Sequence, residues 1–234
     1  QNIHHHRQAN ELGRRFEILK GVFHQETLRK PPHRLKLGSP DNTDLHHGSA
    51  NVIVVRAAVL PKAMVDDMQY EKIKVDPLNP KIGAEISGVN LAEPLGNQTF
   101  GEIHSALMTH QVIFFRDQEL TLDQHKAFGR SFGELHIHPA APGPEGHPEI
   151  LVIHADENSK HVAGNGWHTD VSADKEPPMG SILHLHEVPK VGGDTMFASM
   201  YAAYDALSDR MKEFLGGLSA LHESEHVHSR GYVS

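Results

Sequence analysis

Apolar positions recur at regular spacing from Tyr70 onward, and they predict a series of short elements. Residues 97–110 place apolar side chains on one helical face, which predicts an amphipathic helix. The unbroken apolar run 112–115 predicts a buried strand. Thr121, with Gln124 three residues later, has the spacing of a capping box, so a second helix should begin there.

The rest of this region predicts short strands and two further helices. Strands are expected at 71–75, 81–86, 150–153, 167–171, 181–188, 195–198 and 218–222, and helices at 201–207 and 209–215. Many short strands with peripheral helices favour a mainly β fold, a β-sandwich or jelly roll, over alternating β-α units.

The first 63 residues have a different character. They show no sustained helical or strand period, and they contain turn-rich runs at 30–33 and 38–42. We therefore predict that residues 1–63 are a disordered or non-native extension and that 64–234 form the structured domain. The chain begins at Gln1, and either Met64 or Met68 would suit a start; a transit peptide is the alternative interpretation of the extension.

Charge and composition exclude several classes of protein. Residues 1–62 hold ten Lys and Arg against five Asp and Glu, whereas the remainder holds 12 against 25, within a net charge of −8. An acidic body argues against a nucleic-acid partner, because such binding requires basic side chains to neutralise phosphates. The absence of cysteine excludes disulfides and thiolate chemistry, and no run of 18 apolar residues suggests a membrane span.

The most specific chemical signal is the pair His168 and Asp170. On a predicted strand, residues two apart share a face, so the imidazole and the carboxylate should project together. They would supply two of the three ligands of a 2-His-1-carboxylate site for Fe(II). The triplet alone is also compatible with a surface histidine beside an ordinary exposed aspartate.

Other motifs give the pair its context. Four segments occur in this order: FGELHIHP at 132–139, WHTDV at 167–171, GGDT at 192–195 and YAAYDALS at 201–208. Together they resemble the taurine dioxygenase family of Fe(II)/2-oxoglutarate-dependent enzymes, over about two-thirds of the chain. The resemblance implies a double-stranded β-helix (jelly roll), which would be incomplete at the C-terminus of this chain.

The resemblance also implies roles for individual residues. His168 and Asp170 match the family's first two iron ligands, and Thr195 matches the threonine that binds a carboxylate of 2-oxoglutarate. His138 matches a histidine that contacts the substrate's sulfonate. Ala141 stands where taurine dioxygenase has a substrate-contacting tyrosine, which puts taurine itself in doubt.

The family's distal histidine ligand and its 2-oxoglutarate-binding arginine lie much farther along the chain than the 64 residues that follow Asp170 here. We therefore expect the third ligand to be absent from this chain. His184 and His186 alternate on a predicted strand, but the resemblance makes them wall or surface residues. Neither is assigned as a ligand.

The functional expectation is an Fe(II)/2-oxoglutarate-dependent dioxygenase. It would use dioxygen to hydroxylate a small anionic organosulfur compound, either an alkyl sulfonate such as taurine or an alkyl sulfate ester, releasing succinate and CO2. We expect a cytoplasmic location and no membrane partner, with homo-oligomerisation left open.

Two alternatives belong to other classes. A chain with two of the three ligands could be a catalytically inactive remnant. Alternatively, His222, Glu223 and His226 fit the His-Glu-x-x-His signature of a zinc metalloprotease. Gly216 and Gly217 are a poor lead-in for the helix that signature needs, and eight residues after His226 leave little room for a third zinc ligand.

Overall fold

A computed structural model describes residues 16–23, 52–57, 70–138, 143–156, 159, 166–189 and 192–223. The strands are β1 (Phe16–Phe23), β2 (Val52–Ala57), β3 (Lys74–Pro77), β4 (Ala84–Ser87), β5 (Val112–Phe115), β6 (Ile150–Ala155) and β7 (Gly180–Glu187). The helices are α1 (Asn97–His110), α2 (Leu122–Arg130), α3 (Met200–Asp205) and α4 (Asp209–Gly216). No helix in these ranges is both long enough and apolar enough to cross a bilayer.

The seven strands form one mixed sheet in the order β3-β4-β5-β2-β7-β1-β6. Strands β4 and β5 are parallel and are connected through α1, whereas the other neighbouring pairs are antiparallel. The coarse prediction of a sheet with a few helices is therefore confirmed. The described residues form one sheet, so the double-stranded β-helix stays a prediction.

The core lies between one face of this sheet and helices α1 and α2. Its centre consists of fully buried aliphatic and aromatic side chains from neighbouring strands: Ile53 and Val55 on β2, Ile113 and Phe115 on β5, and Ile182 on β7. These residues alternate along their strands, as a half-buried strand requires. The intervening residues Val54, Arg56, Phe114 and Ser181 consequently point to the opposite face.

A buried carboxylate joins α1 to the chain before β3. Glu102 is 4% exposed and accepts hydrogen bonds from the backbone N–H groups of Lys72 and Ile73, over 2.8 and 3.2 Å. Burial alone would raise the pKa of Glu102, but the backbone donors outweigh it and lower that pKa. The carboxylate therefore remains charged and holds this segment against the helix.

A cluster of three histidines lies on the helix-covered face. His125 of α2 and His184 of β7 are each 1% exposed, and their rings are 6.1 Å apart at the centroids. The ring of His186 lies 4.2 Å from that of His184. Burial and mutual repulsion lower the pKa of both His125 and His184 to about 4, so both are neutral at neutral pH.

The local sequence signals around α1 and α2 are confirmed. Helix α1 and strand β5 have the predicted bounds. The Thr121 hydroxyl oxygen accepts a hydrogen bond from the Gln124 backbone N–H, and the Gln124 side-chain oxygen accepts one from the Thr121 backbone N–H. Both hydrogen bonds of the capping box at the start of α2 are therefore present.

Three predictions need correction. Strands β1 and β2 lie inside residues 1–63, so the predicted lack of structure is wrong for these two segments; β2 is rich in β-branched residues and is buried in the middle of the sheet. The predicted strands 195–198 and 218–222 have no regular secondary structure. His184 is a core residue rather than a wall or surface residue. The domain division at residue 63 remains a prediction.

Replacing Glu102 with alanine should lower the free energy of unfolding by roughly 2–4 kcal/mol, because two backbone N–H groups lose their acceptor. The measurement is urea unfolding followed by circular dichroism. Glu93→Ala is the matched control, since Glu93 is exposed and should cost less than about 0.5 kcal/mol. Equal losses in the two variants would contradict the role of Glu102.

The histidine cluster predicts a stability that falls in acid. Since the pKa of His125 and His184 is lower in the folded chain than in the unfolded chain, protonation favours unfolding. The contribution of His125 and His184 to the free energy of unfolding should be constant above about pH 6.5 and fall by roughly 2–3 kcal/mol per histidine as the pH drops towards about 4.

His125→Leu should make the stability depend less steeply on pH over this range, in urea titrations at several pH values. His154→Gln removes an exposed histidine and should leave the dependence as it was. An unchanged acid sensitivity in His125→Leu would show that the cluster is not its source.

Candidate metal centre

His168 and Asp170 come together, although not on a strand. Residues 167–169 have no regular secondary structure and a turn begins at Asp170, so the predicted strand 167–171 is wrong. The next residue, Val171, has a φ of 51°, in the left-handed region that β-branched residues avoid, so the backbone is not extended there. The turn still brings His168 Nε2 within 3.3 Å of Asp170 Oδ1.

The carbonyl oxygen of Gly166 determines which nitrogen of the His168 ring carries the proton. Nδ1 lies 2.8 Å from the carbonyl oxygen of Gly166, which can only accept a hydrogen bond, so Nδ1 carries a proton. The other nitrogen, Nε2, therefore faces Asp170. A carbonyl behind one ring nitrogen is the usual way in which a protein orients a histidine for a metal at the other.

Asp170 is buried and held from two neighbouring strands. Its side chain is 7% exposed, and its Oδ2 accepts a 2.6 Å hydrogen bond from Ser181 Oγ on β7. The Arg56 guanidinium on β2 forms an ion pair with the same oxygen. With Oδ2 engaged, Oδ1 is the oxygen directed at His168.

Asp170 and Arg56 also affect the pKa of the His168 imidazole. Hydrogen bonding to Asp170 raises the pKa of His168, and this effect exceeds the lowering caused by burial. The nearby charge of Arg56 acts in the opposite direction and lowers that pKa. The cationic field of Arg56 therefore reaches the ring as well as the carboxylate.

Arg56 and Ser181 were not predicted as site residues. Arg56 is the one charged residue in the run VIVVRAAVL at 52–60, and a lone charge within an otherwise apolar run is the signal that could have found it. Because residues 1–63 were predicted to be a disordered or non-native extension, Arg56 was not considered as part of the folded domain. Ser181 is the second residue of β7, and only the pairing of β7 with β2 makes it the neighbour of Arg56.

Thr195 is exposed, in the irregular segment that precedes α3. Two residues later, Phe197 packs edge-on against Phe114, with ring centroids 6.1 Å apart. Phe114 lies on the same sheet face as Arg56, so the segment that carries Thr195 contacts, through Phe197, the face on which Asp170 lies.

His138 is half-buried, and its ring stands perpendicular to that of His136 with centroids 6.5 Å apart. A shallow cavity of about 420 Å³ lies beside its neighbour Ile137, lined by Arg130, Gly133, Glu134, Leu135, Ile137 and Glu149. His168 and Asp170 do not line this cavity. Ala141 lies outside the described residues.

The two donors fit a ferrous ion in kind, because an imidazole nitrogen and a carboxylate oxygen are ligands that Fe(II) accepts. Within the described ranges, no group of three His, Asp or Glu side chains could hold a metal. His184 does not contribute, since it points to the helix-covered face whereas Ser181 and Asp170 lie on the other. The described part of the chain therefore offers two candidate donors, His168 and Asp170.

The geometry of the zinc protease alternative is not supported by the structure. Its two histidines would have to lie one turn apart on a helix. Helix α4 ends at Gly216, and His222 and Glu223 follow in a segment without regular secondary structure. His226 lies outside the described residues.

Residues 74–232 match the family described as taurine catabolism dioxygenase TauD, TfdA family. The chain belongs to this family. An alkylsulfatase of Acinetobacter baylyi is 36% identical over 157 residues, which cover 67% of this chain and 49% of the relative. An alpha-ketoglutarate-dependent sulfonate dioxygenase of Saccharomyces cerevisiae is 33% identical over 165 residues, covering 66% of this chain and 40% of the relative.

The chain also matches solved structures of similar proteins. A taurine dioxygenase from Burkholderia xenovorans is 35% identical, with a TM-score of 0.52 over 63% of this chain and 52% of its own. This TauD/TfdA-family chain thus spans about half the length of the relatives it matches. Arg56 lies outside the part that matches the family.

Ser181→Ala should lower the free energy of unfolding by roughly 1–3 kcal/mol, because the buried Asp170 carboxylate loses a donor. Chemical unfolding of the two proteins measures the difference. Ser131→Ala removes an exposed hydroxyl that bonds the Ala127 carbonyl over 3.3 Å, and should cost less than about 0.5 kcal/mol. If both variants matched the parent, the Ser181 bond would not stabilise the fold.

Proposed function

We propose that this chain is part of an Fe(II)/2-oxoglutarate-dependent dioxygenase that oxidises a small anionic organosulfur compound. The observation that carries the proposal is the approach of His168 Nε2 to Asp170 Oδ1, 3.3 Å apart, within a chain of the TauD/TfdA family. The names of the relatives support the class of reaction, since they include alkylsulfatase and sulfonate dioxygenase.

The residues around the pair have distinct tasks in this proposal. His168 and Asp170 would hold the iron through Nε2 and Oδ1. The Gly166 carbonyl keeps the proton on Nδ1, and Ser181 fixes Asp170 through Oδ2, so that both donors face one point. The bound iron, with 2-oxoglutarate and dioxygen, supplies the oxidising chemistry that side chains lack.

The remaining assignments follow the family resemblance. Thr195 would help to hold a carboxylate of 2-oxoglutarate, and its segment contacts, through Phe197, the sheet face that carries Asp170. His138 would contact the anionic head of the substrate. The complete domain would be a double-stranded β-helix, with the described sheet as one of its layers.

The substrate class rests on comparison more than on geometry. Three relatives are named for sulfate esters, sulfonates or alkyl sulfates, and another is a (S)-phenoxypropionate dioxygenase. An alkyl sulfonate or alkyl sulfate ester is therefore favoured over an aryloxy acid. Hydroxylation of the carbon next to the heteroatom would then release sulfite or sulfate.

Succinate formation from 2-oxoglutarate by the complete enzyme of which this chain is part should require ferrous iron and a sulfur-containing substrate. The assay compares taurine, a linear alkyl sulfonate, a linear alkyl sulfate and an aryloxypropionate, and it measures succinate together with sulfite or sulfate. His168→Ala and Asp170→Ala should each reduce turnover about a hundredfold or more, because each removes one of the iron's donors.

His154→Gln serves as the control, since His154 is an exposed histidine on β6 and should not affect turnover. Succinate formation that survives the loss of both His168 and Asp170 would refute the site. Turnover confined to the aryloxypropionate would keep the dioxygenase and replace the substrate class.

A further inference from the structure

Arg56 holds a permanent positive charge beside the Asp170 carboxylate, which is proposed to bind the metal. Its guanidinium pairs with Asp170 Oδ2, and its side chain is 20% exposed against 7% for Asp170. A guanidinium does not lose its proton at any pH at which proteins are folded. The charge can therefore leave the carboxylate only if the side chain moves.

The position of Arg56 is fixed by the sheet and not by a loop. Arg56 is the register partner of Ser181 on β7 and of Val112 on β5, so it lies in the middle of the sheet. Ser181 and Arg56 stand side by side on one face and engage the same oxygen of Asp170. Arg56 and Ser181 together compensate the charge of the buried Asp170 carboxylate. Burying that charge without partners would be strongly unfavourable.

A divalent cation between His168 Nε2 and Asp170 Oδ1 would lie within a few ångströms of this guanidinium. Repulsion between the two cations is screened less than in bulk water, because Asp170 and Ser181 are buried, although the His168 side chain on the other side of the metal position is 49% exposed. Arg56 also draws electron density from the carboxylate that would be the ligand. Its hydrogen bond helps to orient Asp170, but a neutral donor could do the same without the repulsion.

We propose that Arg56 is an internal counter-cation of the metal centre, which occupies the Asp170 carboxylate in the metal-free protein and competes with the incoming divalent cation. The inference rests on the proposed function, since it assumes that His168 and Asp170 bind the metal. It predicts that removing the charge of Arg56 strengthens metal binding, whereas an orienting role alone predicts the opposite.

The test is the dissociation constant of Co²⁺, a redox-stable probe, measured by isothermal titration calorimetry with the complete protein to which this chain belongs, so that the third ligand expected outside this chain is present. Quenching of Trp167 gives a second readout, because Trp167 is the only tryptophan of this chain and immediately precedes His168. Arg56→Gln retains a donor for Asp170 without the charge, and should bind Co²⁺ about tenfold or more tightly than the parent. Arg56→Lys keeps the charge and should bind as the parent does.

Arg116→Gln is the matched control, since Arg116 forms a 2.7 Å ion pair with Glu85 rather than with Asp170. It should leave the Co²⁺ affinity unchanged. Adding Asp170→Asn to Arg56→Gln should abolish the gain in affinity. A thermal melt with and without Co²⁺ covers the case of a weakened fold, because Arg56→Gln should show a larger metal-induced rise in melting temperature than the parent.

The outcomes separate the two proposals. If the parent binds Co²⁺ in a His168-dependent manner and Arg56→Gln binds equally or more weakly, the counter-cation role is wrong and the metal centre stands. If neither the parent nor Arg56→Gln binds Co²⁺ through His168, the metal centre itself is wrong and the inference falls with it.

Discussion

The pairing of β2 with β7 is the interaction on which both the hydrophobic core and the candidate metal centre depend. On one face it brings Ile53 and Val55 beside Ile182, which buries the core beneath α1 and α2. On the other face the same register brings Arg56 beside Ser181, and together they hold Asp170. Since side chains alternate along a strand, a register shift of one residue would exchange the two faces. Core and candidate site are thus specified by a single alignment.

Local elements could be predicted from the sequence because their determinants are close together in the chain. The bounds of α1 follow from one apolar face, and the start of α2 follows from Thr121 and Gln124, three residues apart. The proximity of His168 and Asp170 agrees with the prediction, but the predicted reason, a shared strand face, is wrong. They converge through a turn at Asp170, in which Val171 takes a strained left-handed conformation, and not because a strand aligns them. Such strain cannot be read from residue types, since valine ordinarily favours a strand.

The non-local part of the site could not be predicted. Arg56 is more than a hundred residues before Asp170, and nothing near it in sequence indicates that a carboxylate will be its partner. The burial of His184 is a similar case. Its alternation with His186 was seen, but which face α2 would cover depends on the packing of a distant helix. Pairings of high sequence separation are fixed by the assembled sheet, which single-sequence patterns do not contain.

Family membership and local electrostatics therefore give different information about this chain. The match covers residues 74–232, and so it includes His168, Asp170 and Ser181 but not Arg56. The proposed ligand roles of His168 and Asp170 rest on that match, together with the general chemistry of an imidazole and a carboxylate. Metal affinity cannot be transferred in the same way, since it also depends on the charges that surround the ligands. Here the nearest cation, Arg56, comes from a strand outside the match, so the behaviour of the pair is a property of this chain and has to be derived from its own contacts.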